Sequence, residues 1–269
     1  MAERRIKVTG DLTSDDTFQS AMQGVEQKGF IPSHRAGDTG IGKTLEDELG
    51  IEENPIQAAD LGSVELKATR KDSGSSLTLF TKSPAKRGVN NSVLRNQYGY
   101  QTEESMELNP NAKVLHTTVN GAGFNTLNGE EFMKLTVQDD RLYLEHKQDG
   151  ILEDVYWEEE DLRKAFAKKY PAGKLYHVQA DVRVEDDGSE SFHYDEAISL
   201  SGFSADRMIE GLQSGELEMD IRLGVYASGK KKGKLHDNGT AIRVSPRKLD
   251  DCFDEKKDCL LYTSPSPRD

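Results

Sequence analysis

Asp60, Glu65 and Lys67 stand close together in Asp60-Leu-Gly-Ser-Val-Glu65-Leu-Lys67. Two carboxylates and an amine are the residue types that hold a hard divalent cation and activate a water beside it, the chemistry of metal-assisted phosphodiester hydrolysis. Mg2+ prefers carboxylate oxygens and keeps several waters, so Asp60 and Glu65 are expected to supply two anionic ligands and the Leu66 carbonyl a third oxygen. Lys67 is then placed to orient or deprotonate the attacking water and to neutralise charge that builds on the phosphate. The bare D-x4-E-x-K spacing arises often by chance, and a surface strand with Glu and Lys turned outward is the plain alternative to a metal-dependent nuclease site.

The element that must position these groups is a strand over Asp60–Lys67. Val64, Leu66 and Ala68 alternate with Glu65, Lys67 and Thr69, which sends the apolar set to the core and Glu65 and Lys67 together to the other face. Leu77–Thr81 reads as its partner strand across the turn Lys71-Asp-Ser-Gly-Ser. Upstream, helical spacing is found in Ser14–Lys28 and in Gly42–Leu49, the second carrying Glu46 toward the same region. Downstream, helices are expected at Asn90–Tyr98, Glu158–Lys169 and Ser204–Gln213. Strands are expected at Val114–Val119, Phe132–Val137, Leu142–His146, Leu175–Val184, Phe192–Leu200, Met219–Tyr226 and Thr240–Val244. This is a mixed α/β (α+β) chain with hairpins rather than a repeating βαβ series.

The 269 residues can bury a core at 35% hydrophobic content, and their net charge is −13. That balance argues mildly against nucleic-acid binding, but basic residues cluster at Lys82–Arg87, Lys230–Lys234 and Arg243–Lys248, and local strips can track a phosphate backbone. The start, Met-Ala-Glu-Arg-Arg-Ile-Lys-Val, has no apolar signal region, no run approaches a membrane span, and Cys252 and Cys259 suggest neither a disulfide framework nor a zinc site; a cytoplasmic setting is expected. Residues 1–13 read as an extension and 14–258 as the working region. The segment 259–269, Cys-Leu-Leu-Tyr-Thr-Ser-Pro-Ser-Pro-Arg-Asp, resembles the translation of a transposase-based sequencing adapter and is expected to be non-native.

Gly37-Asp-Thr-Gly-Ile-Gly42-Lys43-Thr44 fits the phosphate-loop pattern, which requires a buried strand leading in and a helix leading out. Pro32, His34 and Arg35 stand where that strand belongs, so a glycine-rich turn opening a helix is the preferred reading over a P-loop NTPase. The histidines at 34, 116, 146, 177, 193 and 236 show no metal-ligand spacing; His236, between a lysine loop and a strand, is singled out.

Three ordered runs, Gly42–Asn54, Asp60–Lys67 and Leu77-Thr-Leu-Phe-Thr-Lys82-Ser-Pro84, followed by Arg95-Asn-Gln-Tyr-Gly-Tyr100 and His236-Asp-Asn-Gly with Arg243, are similar to the MvaI/BcnI family of type II restriction endonucleases. The resemblance extends from about Ser14 to Phe253. It implies a PD-(D/E)xK restriction-endonuclease-like core, a mixed sheet flanked by helices related to the mismatch-repair nickase MutH. It also implies Mg2+-dependent hydrolysis of double-stranded DNA by a monomer that cuts one strand at a time and is paired with a cognate DNA methyltransferase. Carried over, Asp60, Glu65 and Lys67 form the active site and Glu46 is the helix glutamate beside it. Lys82, Arg95, His236, Asp237 and Arg243 become DNA-contact candidates, since Asp accepts from cytosine N4 and Arg donates to guanine O6 and N7. Family sites are short and C/G-flanked with one central pair, CCWGG or CCSGG. The BcnI-like pattern has histidines where this chain has Thr81 and Ala241, which favours CCWGG over CCSGG. A MutH-like nicking endonuclease of DNA repair is the alternative.

Overall fold

Val64, Leu66 and Ala68 lie against an apolar cluster, as their alternation requires, and two helices and a sheet assemble around that row. The structure is a computed structural model, and it describes residues 8–51, 58–237 and 239–260. In chain order the first elements are α1 (Asp15–Glu26), β1 (Ile31–Pro32), α2 (Gly40–Leu49), β2 (Glu65–Arg70), β3 (Leu77–Thr81), α3 (Arg87–Val93), a π-helical turn (Leu94–Tyr98), α4 (Glu103–Leu108) and β4 (Leu115–Val119). Then follow β5 (Thr126–Leu127), β6 (Glu130–Glu131), β7 (Met133–Gln138), β8 (Arg141–His146), β9 (Gly150–Glu158), α5 (Glu159–Lys169), β10 (Leu175–Val184) and β11 (Glu190–Ser201). The last are α6 (Ala205–Ser214), β12 (Leu217–Val225), β13 (Leu235–Asp237), β14 (Ala241–Val244) and β15 (Glu255–Leu260). They divide into two compact units, one of residues 1–75, 167–204 and 253–269, the other of 76–166 and 205–252.

In the first unit β1, β11, β10 and β2 lie side by side, with β15 also paired to β11. β2 runs parallel to β10, Glu65 opposite Leu175 and Lys67 opposite His177, while the other pairs are antiparallel. Phe18, Met22 and Val25 of α1 and Ile41, Leu45 and Leu49 of α2 recur at helical spacing and close over Leu66, Tyr176, Val178, Phe192 and Tyr194. Phe18 stacks on Tyr176 at 3.7 Å between ring centroids. Each such fully buried side chain contributes about 2 kcal/mol of transfer free energy.

In the second unit β13, β12, β14 and β3 form an antiparallel sheet in that order, with β4 on β12, beside a β7–β8–β9 meander and a small β5–β6 ribbon. One face is apolar: Met219, Ile221, Leu223, Ile242, Val244, Leu115 and Val119 are all buried. The other is polar and bears Thr118, Asp220, Arg222 and Arg243, the alternation of a sheet with a single core-facing side.

Two expectations are corrected here. β3 is not the partner of β2; it pairs with β14, and β2 takes β10. Alternation specifies which face a strand buries but carries no information about its neighbour, and the short 71–76 link passes from one unit to the other instead of making a hairpin. The strand also begins at Glu65, so Asp60 stands in the turn before it. Most of the segment expected to be non-native, 261–269, lies outside the described residues, as does 1–7 of the extension. Cys259 and Leu260 continue β15, with Cys259 buried in the core. Among the described residues no helix is long and apolar enough to cross a membrane.

Candidate active site

The turn before β2 is built to bring a carboxylate back onto the strand. Leu61 N–H donates to Val64 O (3.0 Å) and Gly62 N–H to Ala59 O (3.2 Å), with Gly62 at φ +78°, a conformation that suits glycine. Asp60 Oδ2 then accepts from the Leu66 N–H at 3.1 Å. Glu65 and Lys67 share one face of β2, as their spacing predicts, and Lys67 Nζ lies 2.6 Å from Glu65 Oε1. Sequence reasoning missed the fourth member. Lys169, the last residue of α5, places Nζ 2.8 Å from Glu65 Oε2 and 3.4 Å from Asp60 Oδ1, and donates to Ala58 O at 3.0 Å. A lysine pair ending an amphipathic helix looks like an ordinary C-terminal turn, and no motif marks it.

Glu65 is fully buried, which its outward-facing position on an alternating strand did not predict. Both of its oxygens are closed to solvent, and each has a lysine ammonium at ion-pair distance. Burial pushes its carboxyl above the ordinary range, Lys67 opposes this, and Asp60 adds like-charge repulsion. Burial alone would lower the Lys169 ammonium, but attraction to Glu65 and Asp60 outweighs it and holds that pKa up. The result is a buried carboxylate, a second carboxylate fixed beside it, and two cations against them. Those are the donors a divalent cation requires and the charge that opposes a growing phosphate anion.

Glu46 is half-buried on α2, whose Ile41, Leu45 and Leu49 face the core shared with Leu66. The phosphate-loop spacing is absorbed by the same helix. α2 begins at Gly40, Lys43 N–H donates to Thr39 O at 3.1 Å, and Lys43 Nζ pairs with Asp47 at 2.9 Å, so amides that would cradle phosphate are spent inside a helix.

The remaining candidates lie in the second unit. Arg243 Nη1 donates to Asp220 Oδ2 at 2.7 Å; Arg222 Nε reaches the two Asp220 oxygens at 2.9 and 3.1 Å, and Thr118 Oγ1 donates to Oδ1 at 3.2 Å. Asp220 is buried and thus anchors two guanidinium groups on the polar sheet face, with Arg222 47% exposed. Thr81, Ala241, Asp220 and Thr118 form one cross-strand row there. His236 lies opposite Gly224, where any Cβ would meet the imidazole at 2.8 Å, and its ring packs on Tyr226. His116, opposite Arg222, is held below the ordinary histidine range by partial burial and then by the Arg222 charge. Asp220, Arg222 and His116 were not singled out from sequence, although alternation along Glu218–Gly224 carried the signal.

Lys82 is half-buried and pairs with Asp161 at 3.1 Å, while its carbonyl accepts from the Trp157 indole at 2.9 Å. Two candidates are placed as fasteners. Arg95 is buried and donates to Gly224 O and His236 O, which ties β12 to β13. Asp237 accepts from Arg87 Nε (2.6 Å), Asn91 Nδ2 (2.8 Å) and Gly239 N–H (2.7 Å), leaving little of its carboxylate for a base.

The model of the MvaI/BcnI restriction endonuclease family matches residues 20–253. Among solved structures, the complex of the restriction endonuclease MvaI with its cognate DNA substrate is similar at a TM-score of 0.79 and 32% identity, over 94% of this chain and 100% of that one. MvaI in the absence of DNA is similar at a TM-score of 0.55 and 32% identity, over 95% and 100%. No curated protein matches the chain. Mixed α/β units with this match define a type II site-specific nuclease. The chain belongs to the MvaI/BcnI restriction endonuclease family.

Proposed function

We propose that the protein is a Mg2+-dependent restriction endonuclease of the PD-(D/E)xK type that hydrolyses duplex DNA at a short C/G-flanked site, CCWGG-like rather than CCSGG. The observation that carries this reading is Glu65: a buried carboxylate with Asp60 beside it and the Lys67 and Lys169 ammonium groups at 2.6 and 2.8 Å. Asp60 and Glu65 would hold the cation, with the Leu66 carbonyl as a further oxygen, and Glu46 is proposed as the supporting helix acid. When bound, Mg2+ supplies Lewis acidity toward the phosphate and lowers the pKa of water. Lys67 orients the attacking water and offsets charge on the phosphate oxygens, and Lys169 keeps Asp60 and Glu65 together.

MvaI has been solved on its cognate DNA, and we carry duplex DNA to this chain as substrate. Arg243, Arg222 and His236, with Lys82, supply the contacts, while Asp237 and Arg95 shape the hairpin that presents them. Thr81 and Ala241 put small side chains where the BcnI-like pattern has histidines, which supports the CCWGG preference. A monomeric enzyme in the cytoplasm, working beside a cognate methyltransferase, completes the proposal.

Asp60→Ala and Lys67→Ala are expected to lower cleavage of unmethylated supercoiled plasmid by at least about 100-fold while keeping DNA binding within a few-fold. Full cleavage by either variant removes these residues from the centre. Final conversion to linear product supports restriction, whereas open circle that never becomes linear supports the nicking, repair-type alternative.

A further inference from the structure

β10 and β11 pair antiparallel with Asp181 opposite His193, and the register slips one residue farther on: Ala180 faces Tyr194 but Gln179 faces Glu196. Asp195 is the extra residue of that bulge, a device that re-aims a side chain. One ligand atom from each of Asp181, His193 and Asp195 comes within 4.8 Å of the others. Asp195 is 1% exposed; its Oδ2 meets Lys71 Nζ at 2.6 Å, whereas its Oδ1 is closed to solvent and has no hydrogen-bond partner. Lys71 also approaches Glu196 Oε1 at 3.2 Å and Asp181 Oδ1 at 3.4 Å. Three carboxylates around one ammonium leave a residual negative charge that a single divalent cation would balance, and a bare buried carboxylate oxygen is costly unless something accepts its lone pair.

We propose that Asp181, His193 and Asp195 form a second cation site, separate from Asp60 and Glu65, for a transition-type divalent ion such as Zn2+ or Mn2+. One imidazole nitrogen with two carboxylates is a donor set that borderline cations take in preference to Mg2+. The ion would join β10 to β11 and bear on the residue that follows β2, because Lys71 N–H donates to Ala180 O at 3.1 Å. Its role is to hold the sheet under the catalytic strand, and it does not depend on the identity of the ion at Asp60 and Glu65.

Co2+ is the probe, added to the full-length protein in the presence of excess Mg2+ and followed by visible absorption and by calorimetry. The wild type is expected to bind one ion with N/O-type bands that Zn2+ displaces. Glu65→Gln keeps that ion, while His193→Ala weakens it by at least about tenfold. Asp195→Asn tests the buried ligand but can disturb the Lys71 contact, so His193→Ala, on a half-buried side chain, decides. The proposal is overturned if Co2+ does not bind, if binding is lost in Glu65→Gln, or if His193→Ala binds as tightly as the wild type.

Discussion

Lys169 shows how a single side chain can hold a reactive group in place. Its ammonium lies between Glu65 and Asp60, and removing it leaves Lys67 alone to balance two carboxylates, one of them buried. Lys169→Met should therefore cost about 3 kcal/mol in denaturant unfolding of the metal-free protein, with saturating Mg2+ recovering part of the loss by mass action. An unchanged midpoint in EDTA would show that the contact carries no stability. The pH dependence has a definite sign. The folded-state pKa of Lys169 is raised above 10.5, so its contribution is complete at neutral pH and fades as pH climbs through the alkaline range; Lys169→Met should flatten that limb. At the polar sheet face, Asp220 plays the corresponding part for Arg222 and Arg243. Asp220→Asn removes the charge that both guanidinium groups share, freeing Arg222 and leaving Arg243 with the Ser76 carbonyl, and competition binding should show a loss of about 1–3 kcal/mol in discrimination between cognate and random duplex. Equal discrimination by the variant would assign Asp220 to packing alone.

At the scale of elements, much was legible in the sequence because patterning reports burial. The helical spacing of Phe18, Met22 and Val25 and the alternation through Tyr176, Val178 and Ala180 locate α1 and β10 closely. Asp60, Glu65 and Lys67 were found together because local spacing is all that a turn and one strand need. What was not legible depended on contacts distant in the chain: the pairing of β2 with β10, the arrival of Lys169, and the burial of Glu65. Arg95 and Asp237 illustrate a different limit, since composition does not reveal that Arg95 reaches the Gly224 and His236 carbonyls or that Asp237 accepts from Arg87 and Asn91. Cys259 and Leu260, the first residues of the segment expected to be non-native, are the last two of β15, and Cys259 is buried. Burial pushes the Cys252 and Cys259 thiols up to about 11, so neither should react with a thiol reagent in the native protein at mildly alkaline pH, and both should react on unfolding. Fast labelling of native Cys259 would mean that β15 does not close on β11.

For the molecule as a whole, a net charge of −13 concentrates any attraction for DNA in local features such as the Arg222 and Arg243 face. Each chain carries a single Asp60, Glu65 and Lys67 group, so a monomer is expected to open one strand per engagement. Open-circle plasmid should rise before linear product, with a rate linear in protein concentration. A second-order dependence on concentration, or linear product without the intermediate, would require two chains acting together.

The parallel pairing of β2 with β10 also sets a timetable for synthesis. Residues 76–166, most of the second unit, are translated between the two strands. A ribosome that has released the chain through Phe166 has already displayed Asp60, Glu65 and Lys67, but Lys169 and the strand that flanks them have not been made. Domains fold as their residues emerge, at about 5–20 residues per second. On the proposed site, several seconds therefore pass before Asp60, Glu65 and Lys67 meet β10 and Lys169, and a product that stalls or is clipped in that interval is expected not to cut DNA.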